Sequence, residues 1–160
     1  MNAVAKIEQA LRSGVLIEDL IVVPQSGATD GMIASEEKKL SRSLSSQHKK
    51  LLKRWNGMNI DVIRLYGCGP VVDEIDALFN RQSGVLSEQK GNVVFGDDPA
   101  GYMYAEADDG SILSVDTASG EVKKLANDID DFFSRLVFGV DAKDFAGDDW
   151  KQELVDSGML

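Results

Sequence analysis

Residues 93–139 read VVFGDDPAGYMYAEADDGSILSVDTASGEVKKLANDIDDFFSRLVFG: short alternating apolar runs, cut by turn residues and closed by an amphipathic helix. Alternation places Tyr102, Tyr104 and Glu106 on one face of a strand and Met103, Ala105 and Ala107 on the other. Asp108-Asp109-Gly110 predicts a tight primed hairpin turn, because Asp-Gly tolerates the positive φ such a turn needs. Residues 111–115 return as the partner strand, Ala118-Ser119-Gly120 turns the chain again, and residues 121–125 read as a third strand. Asn127 or Asp128 caps a helix whose Ile129, Phe132, Phe133, Leu136 and Val137 recur along one helical face. The stretch is an antiparallel meander with a helix packed on it, and little in it looks catalytic.

Before the meander, residues 60–66 (IDVIRLY) are apolar and β-branched and predict one strand. Gly67-Cys68-Gly69-Pro70 is a turn. Residues 73–80 predict a short helix with Ile75, Leu78 and Phe79 inward, and residues 82–92 predict a loop. Upstream, Ser45 opens a helix with His48, Leu51, Leu52 and Trp55 on its apolar side and Lys49, Lys50, Lys53 and Arg54 on its basic side. Asn56-Gly57 ends it, since both residues accept the left-handed conformation of a helix C-terminus. Ser35 caps residues 36–40, which places Glu36 and Glu37 in the first turn, where they favour the helix dipole. Residues 3–11 have helical spacing with Gly14 as a stop, and residues 16–23 are a strand or an extended packing segment. Beyond Gly139, Phe145 can pack back, and Asp148 can cap a helix with Trp150, Leu154 and Val155 as a narrow apolar stripe. The expected organisation is one domain over residues 1–160: a loosely packed N-terminal extension (1–34), a core (35–139) and a C-terminal helical tail (140–160).

The totals exclude several classes. At 43% hydrophobic and 28% charged the chain is globular rather than disordered. No apolar run approaches the roughly 20 residues that span a bilayer, and the N-terminus lacks the apolar core of a signal peptide. Cys68, the single cysteine, cannot form an internal disulfide and fits a reducing cytoplasm. The net charge of −10 is uneven: residues 97–160 carry 16 Asp and Glu against 5 Lys and Arg, a balance of −11. That balance argues against nucleic acid or an anionic membrane as partner and allows a basic protein. The bases of residues 49–54 read as the solvated face of an amphipathic helix.

Candidate chemistry is sparse. One histidine and one cysteine make no zinc constellation, and His48 lies on an apolar face. Gly67-Cys68-Gly69 lacks the rest of a phosphate-binding fingerprint. Asp97-Asp98, Glu106, Asp108-Asp109 and Asp116 can converge at one end of the hairpin, and clustered carboxylates can hold a hard cation or act as acid and base. Their spacing matches no EF-hand loop, and Asp-Asp-Gly and Asp-Asp-Pro are also what turns select. No catalytic residue, metal ligand or cofactor is therefore assigned. Tyr102 and Tyr104 share a face with Glu106, so Asp97, Asp98, Tyr102, Tyr104, Glu106, Asp108 and Asp109 are the candidate partner contacts. The alternative is that the following helix covers this face.

Leu44-Ser45-Ser46-Gln47-His48, Leu51-Leu52 and Trp55-Asn56-Gly57 resemble the helix of the SUKH superfamily, which includes the Smi/Knr-type cell-wall regulators and many bacterial immunity proteins. Phe95-Gly96-Asp97-Asp98, Gly101-Tyr102 with Tyr104, Asp116, Gly120, Leu125-Ala126 and Asp131-Phe132-Phe133 follow the same family order. Ser45 stands where the family usually has proline, and His48 replaces its aromatic residue. The resemblance spans residues 35–139. It implies an α+β fold, a mostly antiparallel sheet flanked by helices. It also implies a non-enzymatic, cytoplasmic protein-binding role: an antitoxin that neutralises a bacterial toxin, such as a basic nuclease, or an intracellular regulatory scaffold.

Overall fold

The computed structural model describes residues 1–70, 75–82 and 91–160. Among these, seven strands form one sheet in sequence order: β1 (Ile21–Val22), β2 (Met58–Ile60), β3 (Arg64–Leu65), β4 (Val93–Asp97), β5 (Tyr102–Glu106), β6 (Ile112–Asp116) and β7 (Val122–Ala126). Every neighbouring pair is antiparallel. With the helices below, this is the α+β architecture expected, and β4–β7 are the meander read from residues 93–126.

Two turns differ from expectation. Between β5 and β6, Gly110 has φ 88 while Asp109 keeps a negative φ. A type I′ turn on Asp109-Gly110 needs positive φ at both positions, and a type II′ turn needs it at Asp109. The chain instead closes with Gly110 N–H donating to Ala107 O (2.9 Å) and Ala107 N–H to Ser111 O (2.8 Å), a wider loop with its glycine in the left-handed position. Residues 60–66 are not one strand but the β2–β3 hairpin. Asp61 takes φ 67, a conformation aspartate tolerates better than most residues, and the chain reverses there.

The helices are α1 (Ala3–Ser13), α2 (Asp30–Leu40), α3 (Ser46–Arg54), a short α4 (Ile129–Asp131) that runs on as a π-helical turn (Phe132–Val137), and α5 (Ala142–Asp156). Ser45 and Asp128 cap α3 and α4 as expected, accepting from His48 N (3.1 Å) and Asp131 N (2.8 Å). Asn56 does not take the left-handed conformation; its amide instead bridges Cys68, accepting from N (2.6 Å) and donating to O (2.9 Å). α2 begins earlier than residue 36, because Thr29 accepts from Met32 N (3.2 Å) and caps it.

The core centres on Phe132, whose ring lies 5.9 Å from Phe95, 5.1 Å from Phe133 and 5.4 Å from Tyr104. The first 34 residues are not loosely packed. Ala3, Ile7 and Ala10 of α1 are buried in the same core, Ala3 N donates to Asp130 (2.8 Å), and β1 joins the sheet. α5 returns over the sheet through Phe145, 5.8 Å from both Tyr104 and Phe132, and through Trp150, whose indole donates to Val137 O at 2.7 Å. Val155, expected in its apolar stripe, is exposed. The helix expected over residues 73–80 and the loop over 82–92 fall partly outside the described residues. In the described part, Ala77 bridges to Gly67, Ile75 and Leu78 are buried, and a single 3-10 turn (Phe79–Arg81) leaves Phe79 exposed rather than inward.

Candidate functional site

Asp97 and Asp98 are consecutive, so their side chains leave opposite faces of the sheet. Asp97 is only 5% exposed. It accepts from Arg64 Nε (2.7 Å) and Nη2 (3.1 Å), from Arg81 Nη2 (3.1 Å) and from the Tyr66 hydroxyl (2.6 Å). Burial and the bond to Asp97 push the Tyr66 phenol pKa up. Asp97 is thus an internal charge hub that ties β3, β4 and the Phe79–Arg81 turn together. Its carboxylate is spent on these internal bonds rather than left on the surface.

Asp98 organises the β4–β5 turn. Its carboxylate accepts from Ala100 N (2.9 Å), Tyr102 N (3.0 Å) and the Tyr104 hydroxyl (2.5 Å). Tyr104 is buried under α4 and α5, and burial, reinforced by Asp98, raises its pKa. The face shared by Tyr102, Tyr104 and Glu106 is therefore the helix-covered one. Only Tyr102, at the strand's end, stays open, at 39% exposure.

Glu106 is 1% exposed and sits at the N-terminus of α3. It accepts from Ser45 N (3.2 Å) and Oγ (2.6 Å), with Arg42 Nη2 at 3.6 Å. A carboxylate is well placed against a helix N-terminus. Here Ser45 does what proline cannot: its hydroxyl donates to Glu106 while accepting from His48 N. His48 Nδ1 is 3.9 Å from Glu106 Oε1, outside hydrogen-bond reach. Burial pushes the His48 pKa down, against the pull of Glu106, so the ring is neutral and makes no ion pair. The Cys68 thiol, fully buried, is pushed up to about 12, mainly by burial, which removes its thiolate character near neutral pH.

Asp108 and Asp109 are exposed on the β5–β6 loop, with Asp109 accepting from Ser111 N (2.9 Å) and Oγ (2.6 Å). The carboxylates do not converge. Tyr102 pairs with Asp116, so Asp98 and Asp116 share one end of β5, and Asp108 and Asp109 lie beyond the other. At roughly 3.4 Å per residue, β5 separates the two sets by about 14 Å. The basic face of α3 is compensated from its neighbours. Lys53 meets Asp30 (2.7 Å), Arg54 meets Glu8 (3.0 Å) and Lys49 lies 3.7 Å from Glu37.

At the Asp98 end the surface opens into a groove of about 710 Å³. One wall is the segment after α1, with Ile17 (56% exposed) and Leu20 (59% exposed). Ile17 N donates to Asp61 Oδ2 (2.9 Å), which pins that segment to the β2–β3 hairpin tip. The opposite wall is α5, whose Phe145 and Trp150 show apolar surface and whose Asp149 and Glu153, one helical turn apart, point along it. α5 bends at Gly147 (φ 91, ψ 178), between Phe145 and Asp149, a backbone that suits glycine. Sequence reasoning did not find this groove, because its walls come from the two ends of the chain. The available signal was Asp61 inside a β-branched run, a residue type that interrupts strands and marks turns.

Among the described residues no helix is long and apolar enough to cross a membrane. Comparison with protein-family models gives a match to the SMI1/KNR4 family (SUKH-1) over residues 27–135. No curated protein matches the chain.

Proposed function

The chain belongs to the SMI1/KNR4 family (SUKH-1), and from that premise we propose that it is a non-enzymatic, cytoplasmic immunity protein that neutralises a bacterial toxin by stoichiometric binding. The observation that carries this reading is how its charge is used. Asp97, Glu106 and His48, the groups with most chemical potential, are buried and committed to the scaffold. Asp108, Asp109, Asp148 and Asp149 are left on the surface of a segment with a balance of −11. A surface of this kind suits a basic partner such as a nuclease, whose substrate is itself a polyanion. Of the seven candidate contacts, Tyr102, Asp108 and Asp109, with the half-buried Asp98, stay available for that role.

The test is co-expression with the product of the neighbouring gene. The expected result is rescue of growth and a one-to-one complex whose association slows as salt rises. Absence of both rescue and complex at low salt would remove the toxin reading.

A further inference from the structure

We infer that the groove between the β2–β3 hairpin, the β4–β5 turn and α5 is the docking surface for a polypeptide segment of the partner that carries a large apolar anchor flanked by lysine or arginine. The inference rests on the reading that this chain acts by binding a protein, and it specifies where and what.

Three observations carry it. First, the groove is a concavity of about 710 Å³ with an apolar lining supplied by Val62, Pro99, Phe145 and Trp150. Ile17 and Leu20 stand beside it more than half exposed, an arrangement that marks an interaction surface when the residues are contiguous. Second, the charge in the groove is mostly negative. Among the described residues Asp61, Asp98, Asp149 and Glu153 line it against one base, Arg64. Arg64 is already held by a two-pronged bond to Asp97 beneath, so its charge is compensated from inside. Asp149 and Glu153 have no salt bridge among the described residues and lie exposed on α5. An occupant therefore needs cationic groups beside its apolar ones. Third, Ile17, Leu20 and the α5 residues lie outside the family-matched span of 27–135, so both walls come from segments beyond that span, one from each side of it.

The same charge argues against a second copy as occupant. The chain is −10 overall, and the basic face of α3 already meets Asp30, Glu8 and Glu37.

The experiment is a titration of the isotope-labelled full chain, followed by NMR, with a short synthetic peptide of alternating leucine and lysine. A peptide with glutamate in place of each lysine is the control. The leucine–lysine peptide is expected to shift the Val62, Ala100 and Ala146 amides and the Trp150 indole N–H, and the control to leave them in place. The double variant Asp149→Lys/Glu153→Lys, changed only at exposed positions, is expected to weaken binding by about tenfold or more. Shifts confined to the Asp108–Asp109 loop, equal binding of the control, or undiminished binding by the variant would each overturn the assignment. So would a concentration-dependent dimer of the free chain that the double variant abolishes, since the occupant would then be a second copy. A toxin complex that forms normally with the double variant would remove the groove and keep the immunity reading. Peptide binding in the groove without any rescue or complex would do the reverse.

Discussion

His48 is the residue at which packing and titration conflict most directly. It is 2% exposed, its ring meets Phe95 edge-on at 5.8 Å, and the charged groups facing it are Glu106, Arg42 and Glu37. Burial lowers its pKa below the ordinary 6.5, so the folded state binds this proton less well than the unfolded state does. The stability it confers is complete above the unfolded value and is lost as pH falls through about 6.5 towards the folded one. His48→Phe, which keeps an aromatic ring against Phe95, removes that linkage. Urea unfolding is expected to show the wild type losing more stability than His48→Phe as pH falls from about 7 to about 5.5. Equal losses in the two proteins would take His48 out of the acid response.

Glu36 shows at the level of elements what the sequence could and could not disclose. As a first-turn acid it would serve the dipole of a short helix. In the fold, α2 starts at Asp30, so Glu36 sits in its second turn, 1% exposed. It accepts there from Gly69 N (3.0 Å) and Phe79 N (3.1 Å), fastening two loops that follow β3. Local signals were legible where they are local: the Ser45 and Asp128 caps, the apolar face of Phe132, Phe133 and Leu136, and the alternation of β5. What was hidden depends on partners distant in sequence. Glu36 is 33 residues from Gly69, Glu106 is 61 from Ser45, and the groove pairs Ile17 with Glu153. Alternation found the face of Tyr102, Tyr104 and Glu106 without saying which side the helices cover. Glu36→Ala leaves two backbone N–H groups unpaired and is expected to cost roughly 2 kcal/mol. Thermal unfolding is the measurement, and a loss within about 0.5 kcal/mol would mean that other groups satisfy both donors.

The whole molecule is larger than the span that identifies it. The family match covers residues 27–135, yet the aromatic cluster around Phe132 is closed by segments on both sides of that span. α1 adds Ile7 and Ala10 with no exposed surface, and α5 adds Phe145, Trp150 and Leu154, the last fully buried. Trp150 also satisfies the Val137 carbonyl, at the end of the π-helical turn. Large buried apolar side chains contribute about 1.5–3 kcal/mol each. Losing Ile7, Trp150 and Leu154 together therefore removes an amount comparable to a typical domain's entire margin of about 5–15 kcal/mol. We predict that a fragment limited to residues 27–135 does not hold a packed core. Circular dichroism should show strand content without a cooperative thermal transition, and the fragment should bind an apolar dye such as ANS where the full chain does not. A sharp transition within a few degrees of the full chain's would instead make α1 and α5 accessory layers on an independent unit. Their task would then be to hold the walls of the groove, where Ile17 and Leu20 stand more than half exposed.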